Sequence, residues 1–205
     1  MGKYPKLNSE YYDDITRQIR SGANKIAEMT KEKKALDKMI KSGNFAGQKL
    51  HELNEEFTKV QRNIIQEREN QQKTVKAMCD EFVEELRKED DLNPKDIVPG
   101  DLELLKSFNL LTDRDLMAMI DRNSTNRTMS QLILRQCREH GNRDLKLGIM
   151  YQGNDNIIQN VNILPDIAKT IFRYDDGMEG SAGYIYSEVL GEGSDLANMF
   201  SPDND

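Results

Sequence analysis

From Tyr12 to Ile40 the chain sets positions 12, 15, 19, 22, 26, 29, 33, 36 and 40 in strict alternating steps of three and four, and seven of the nine are apolar. That spacing holds one narrow stripe on a single side of an α-helix, the seam along which helices zip together. Tyr12, Ile15, Ile19, Ile26, Met29, Leu36 and Ile40 make the stripe, and Gly22 and Lys33 interrupt it. Ser9, followed by Asp13 in the first turn, suits the start of the helix, because acids there face the positive end of the helix dipole.

Lys41-Ser42-Gly43-Asn44 then reads as a stop and a restart. Gly43 can take the left-handed conformation past a helix end, and Asn44 can cap the next helix. A second stripe follows at Ala46, Leu50, Leu53, Phe57, Val60 and Ile64. A helix continuous through Gly43 would need a local overwinding there, so a turn making an antiparallel hairpin is the simpler reading. Residues 66–74 contain no apolar side chain, and the stripe resumes at Val75, Cys79, Phe82 and Leu86. Such a polar stretch is expected to be solvated on all sides or held by ion pairs within the helix, with a flexible joint as the alternative. Pro94 and Pro99 end this half.

Composition agrees with an extended helical shape: 37% of residues are hydrophobic and 32% charged, too little apolar mass for one compact globule of 205 residues. Residues 174–205 contain eight acids, no Lys or Arg, and five of the thirteen glycines, so the tail carries a charge of −8 and residues 1–173 carry +1 of the net −7. A segment of that composition is expected to be mostly irregular and to dock on a partner. Within it, Tyr184, Ile185, Tyr186, Leu196, Met199 and Phe200 are apolar islands and the candidate docking residues, with packing back on their own domain as the alternative. Leu147 to Tyr151 and Ile157 to Ile163 read as short strands or extended arms, and Ile167 to Tyr174 as a helical turn or two after Pro165.

Residues 94–146 have a denser apolar content. Ile97, Val98, Leu102, Leu104, Leu105, Phe108, Leu110 and Leu111 suffice for a local core. Pro99-Gly100-Asp101 opens one short helix, and Thr112 with Asp115 has the form of a capping box opening a second. A third carries Met129, Leu132, Ile133, Cys137 and His140 on one side. Three short helices make a plausible unit. The expected fold is thus all-α, with a helical hairpin or coiled coil over 1–93, a three-helix module over 94–146 and an acidic docking tail over 147–205.

The sequence offers no catalytic constellation, cofactor site or metal site. Cys137 and His140 share a helix face, but His51 and Cys79 would have to complete a metal site from elsewhere, so a buried thiol and a helix-end imidazole are the better account. No glycine loop has the strand, helix and basic residue that phosphate binding requires. An acidic chain is not expected to bind nucleic acid in general. The alternative is a helix–turn–helix-like module at 112–140, in which Arg122, Asn126, Arg127 and Gln131 would read DNA. Met1 to Asn8 lacks the apolar run of a secretory leader, and no stretch approaches the ~20 apolar residues of a membrane span. The expectation is a soluble cytosolic protein.

The stretch Leu110-Leu111-Thr112-Asp113-Arg114-Asp115-Leu116, then Asn126-Arg127-Thr128-Met129 and Leu132-Ile133, resembles small structural and morphogenesis proteins of tailed bacteriophages of Gram-positive hosts. The long charged helices over the remainder of 9–140 are similar in style to phage scaffolding proteins. The resemblance implies a non-enzymatic role in head assembly in the host cytoplasm, with residence in the virion a further expectation. Its partners would be copies of itself and coat or portal subunits. Ile15, Ile19, Ile26, Met29, Leu36, Ile40, Leu50, Leu53, Phe57, Val60 and Ile64 are the expected self-association seam. Burying about six such side chains per stripe is worth roughly 10 kcal/mol gross, which drives association only if the two stripes leave each other unsatisfied.

Overall fold

A computed structural model describes residues 7–139 and 154–200. The described residues are all-α, about 82% helical, with no strand among them. In order, α1 spans Asn8–Lys41, α2 Gly47–Glu89, α3 Pro99–Lys106, α4 Asp113–Arg122, α5 Arg127–Glu139, α6 Asp155–Ile171, α7 Ser181–Val189 and α8 Asp195–Met199, with single 3-10 turns at Pro94–Asp96, Phe108–Leu110 and Gly177–Glu179. Internal packing divides the described residues into two units, one drawn from Met1–Phe82 and Asn160–Asp205, the other from Val83–Gln159.

In the first unit, the Glu10 carboxylate secures the start of α1 by accepting the Leu7 amide at 3.0 Å. Ser42 closes its end, its amide donating to the Lys38 carbonyl at 3.0 Å and its hydroxyl to Met39 at 2.7 Å. Gly43 then turns the chain in the left-handed region, at φ 71°. Asn44 was expected to cap α2. Instead its amide donates to the Ser42 hydroxyl at 3.3 Å, and α2 begins at Gly47.

α2 runs unbroken through the polar stretch 66–74. That stretch is neither solvated all round nor merely paired within its own helix. Gln18 of α1 donates to the Gln71 amide oxygen at 2.6 Å, Gln71 donates to Glu67 at 2.6 Å, and Lys25 of α1 meets Glu67 at 2.9 Å. Tyr11 stacks on Phe82 at 4.6 Å and Lys33 lies over the Phe57 ring at 5.5 Å. Partner positions therefore fall along α2 as they rise along α1.

The tail departs from expectation. Ile157 to Ile163 is helical, not strand or arm, and α6 continues through Pro165 to Ile171. The spacing of its buried residues, Val161, Leu164, Ala168 and Ile171, explains the continuation. A buried face fixes the helix more firmly than the one backbone donor that Pro165 lacks can weaken it. The acidic stretch beyond is also largely ordered, through the Gly177–Glu179 turn, α7 and α8. Leu147 to Tyr151 lies outside the described residues.

In the second unit, Leu105, Phe108, Leu116, Met119, Ile120, Met129, Ile133 and Cys137 form one buried cluster, with Ile97, Leu111, Met117 and Leu132 against it. Local bonds fix the start of α4. The Thr112 hydroxyl accepts the Asp115 amide at 3.3 Å, and the Asp115 carboxylate accepts the Thr112 amide at 2.9 Å. Asn154 donates to the Leu86 carbonyl at 2.9 Å, satisfying an acceptor in the last turn of α2.

Candidate interaction surface

The residues between Phe172 and Phe200 are held along one face of α1. That face is built from Thr16, Ala23, Ala27 and Thr30, all buried and each one position after a member of the three-four series 15, 22, 26 and 29. Their small side chains let backbone approach. Gly177, at φ 62°, lies so near α1 that a Cβ there would sit 2.8 Å from the Ala27 Cβ. The Met178 amide donates to the Asn24 side-chain oxygen at 3.3 Å, and the Thr30 hydroxyl donates to Asp175 at 3.4 Å. Arg68 of α2 pairs with the same Asp175 carboxylate.

At the far end of this face Tyr12 donates to the Leu190 carbonyl at 3.1 Å and stacks on Phe200 at 4.7 Å, while Phe82 meets Phe200 at 6.0 Å. Burial pushes the Tyr12 phenol up to about 12. Gly22, an interruption of the seam, has a role here: a Cβ would lie 2.7 Å from the Gln71 oxygen and 3.0 Å from Phe172. Its missing side chain admits both. Burial raises the Glu67 carboxyl, but the bonds from Gln71 and Lys25 outweigh it and hold the group below the usual range. Asp176 accepts the Ser181 and Ala182 amides at 2.7 and 3.2 Å, serving as a cap for α7, and these bonds lower its carboxyl.

The expected seam is filled within one chain. Ile15, Ile19, Ile26, Leu36, Leu53, Val60 and Ile64 are buried, and Met29, Ile40, Leu50 and Phe57 are half-buried. The chain's own residues cover these side chains wholly or in part. The tail islands divide. Leu196 and Phe200 are buried against their own chain, Ile185 and Tyr186 are half-buried, and Arg20 sits 5.5 Å from the centre of the Tyr186 ring. Met199 is exposed, as is Tyr184, at 69%.

All four residues of the DNA-reading alternative have partners in the second unit. Arg122 pairs with Asp101 at 2.7 Å. Arg127 meets Glu89 at 3.2 Å and Asp90 at 3.0 Å, and Gln131 donates to the same Asp90 at 3.4 Å. The Asn126 amide donates to the Asp96 carbonyl at 2.6 Å while its oxygen accepts the Met129 amide. Each of these residues thus bonds to a carboxylate or to backbone of its own chain.

Cys79 and Cys137 are buried thiols, and burial pushes Cys79 up to about 12 and raises Cys137. His140 lies outside the described residues. Among the described residues no group of three or more His, Cys, Asp or Glu is placed to hold a metal ion, and no helix is long and apolar enough to cross a membrane. The second stripe of α1, unremarked in the sequence, had a signal: Thr16, Ala23, Ala27 and Thr30 repeat the seam's spacing one residue later. The sequence matches no family model, no curated protein and no solved structure.

Proposed function

We propose that this protein is a non-enzymatic assembly or structural protein of the tailed-phage type, acting in the host cytoplasm through contact with coat or portal subunits and with copies of itself. In this reading α1 and α2 form a helical hairpin with a coiled-coil-like seam, and α3, α4 and α5 form a three-helix module. One observation supports the non-enzymatic part: among the described residues, the seven buried polar ones are bonded within the fold. Thr16, Thr30, Asp101, Asn123, Thr128, Ser130 and Asn154 each bond within the chain. An active site needs polar groups held ready for a substrate.

What the chain leaves outside is apolar as well as charged. Leu110 is 82% exposed, and Leu104, Val98 and Tyr184 are exposed with it. Such side chains suit contact with other proteins. The test is co-expression with coat and portal subunits encoded beside it. The expected result is co-sedimentation with one of them and a lower yield of closed capsids when the chain is absent. Unchanged capsid yield with no co-sedimentation overturns the reading.

A further inference from the structure

The face of α1 that holds the carboxy-terminal residues does not stop where they stop. On a helix, positions 16, 20, 23 and 27 continue in line as 31, 34, 35 and 38. The covered part ends at Thr30, which bonds to Asp175. Beyond it Lys31, Lys34, Ala35 and Lys38 are exposed, with Met39 beside them at 39%. No ion pair among the described residues holds Lys31, Lys34 or Lys38. Asp37 is taken by Lys41 at 2.7 Å, and Glu28 and Glu32 lie to one flank. This stretch is a basic face with an apolar centre.

The same unit carries its complement. On α7, Tyr184 projects outward with Glu188 one turn later, and Glu179, Glu192 and Asp195 are exposed nearby in sequence. No Lys or Arg lies between 174 and 205. Tyr184 has the form to lie over Ala35 and Met39 between lysine stems, with Glu188 facing an ammonium group.

We propose that the lysine face of α1 binds the Tyr184–Glu188 face of α7 in a second copy of this chain. Every chain offers both faces, and the two differ, so the contact is head-to-tail and generates an open chain or a ring rather than a symmetric pair. The inference rests on the self-association reading above and names the surfaces that carry it. It also continues an existing interface, since the second copy extends the row of groups that the chain's own residues begin on α1.

The test is sedimentation velocity of the full chain over a concentration series at low and high ionic strength. Association is expected to weaken as salt rises, because exposed charges carry it. The triple variant K31E/K34E/K38E and the variant E188K/E192K should each weaken association by at least about tenfold, and Y184A by several-fold. All these side chains are exposed, so circular dichroism melts should match the parent. An equimolar mixture of the two charge variants should associate again, since each then meets its opposite. Variants that associate like the parent, or a mixture that stays apart, overturn the head-to-tail contact while leaving self-association standing. A parent that is monomeric throughout overturns both, and leaves contact with coat or portal subunits to the co-sedimentation test.

Discussion

In the first unit Tyr12 reaches the carbonyl of Leu190, 178 residues away, and Arg68 reaches Asp175 across 107. In the second, Arg122 and Asn123 bond to Asp101 only 21 and 22 residues back, and Arg127 to Asp90 across 37. The contrast is one of reach. Among the described residues the second unit's bonds reach no further than the 68 residues from Asn154 to Leu86, whereas the first joins the amino-terminal helices to residues past 160. Contacts of high sequence separation form late and slowly, because the loop must close before they reward it. The first unit should therefore depend on a few long-range anchors, and the second on its local cluster.

Each unit holds one buried thiol, Cys79 in the first and Cys137 in the second, so alkylation can report their opening separately. The strongest challenge to the comparison is Phe172→Ala. Phe172 is fully buried, and its loss should cost about 3–5 kcal/mol. Denaturant unfolding followed by circular dichroism measures the loss, and Cys79 should become far more reactive while Cys137 changes little. Equal acceleration at both thiols would show that the two units open as one.

Next in size is Asp101→Ala. It leaves the buried Asn123 amide without its carboxylate partner and releases Arg122, at a cost of about 2 kcal/mol. Here Cys137 should respond and Cys79 should not. Restored stability in an Asp101→Asn variant would identify hydrogen bonding, rather than charge, as the main contribution.

A smaller effect separates the caps. Asp176→Ala removes the acceptor for two α7 amides and should cost about 1 kcal/mol. The folded Asp176 carboxyl lies below its ordinary value, so its contribution is present above the unfolded value of about 3.9 and fades as pH falls through the folded one. Acid titration of the parent should show this loss and the variant should lack it. Smallest of all, Lys76→Ala breaks an exposed in-helix pair with Asp80 and should shift stability by no more than about 0.5 kcal/mol.

The parts legible in the sequence are those with local causes. Thr112 and Asp115 mark a helix start because both bonds close within three residues. Gly43 marks a turn because its backbone conformation is its own property. The stripe of Ile15 to Ile40 was legible as a covered face too, since a face needs only a period. What escaped was long-range. Nothing local to Asp175 or Gly177 announces Thr30 and Ala27, and a run of acids is uncommitted until Arg68 or the α7 amides are placed beside it. Pro165 misled because a local rule about helix interiors was outweighed by the burial of Val161, Leu164 and Ala168.

The stacking of Tyr12 on Phe200 has a consequence for how the protein is made. A nascent polypeptide leaves the ribosome amino end first. Everything the Val83–Gln159 unit requires emerges before the α1 partners Leu190 and Phe200 do. Translation thus hands over one finished piece and one awaiting its last residues, and throughout that interval the Ala23–Ala27 side of the first helix travels uncovered, open to whatever the cell's folding helpers can shield.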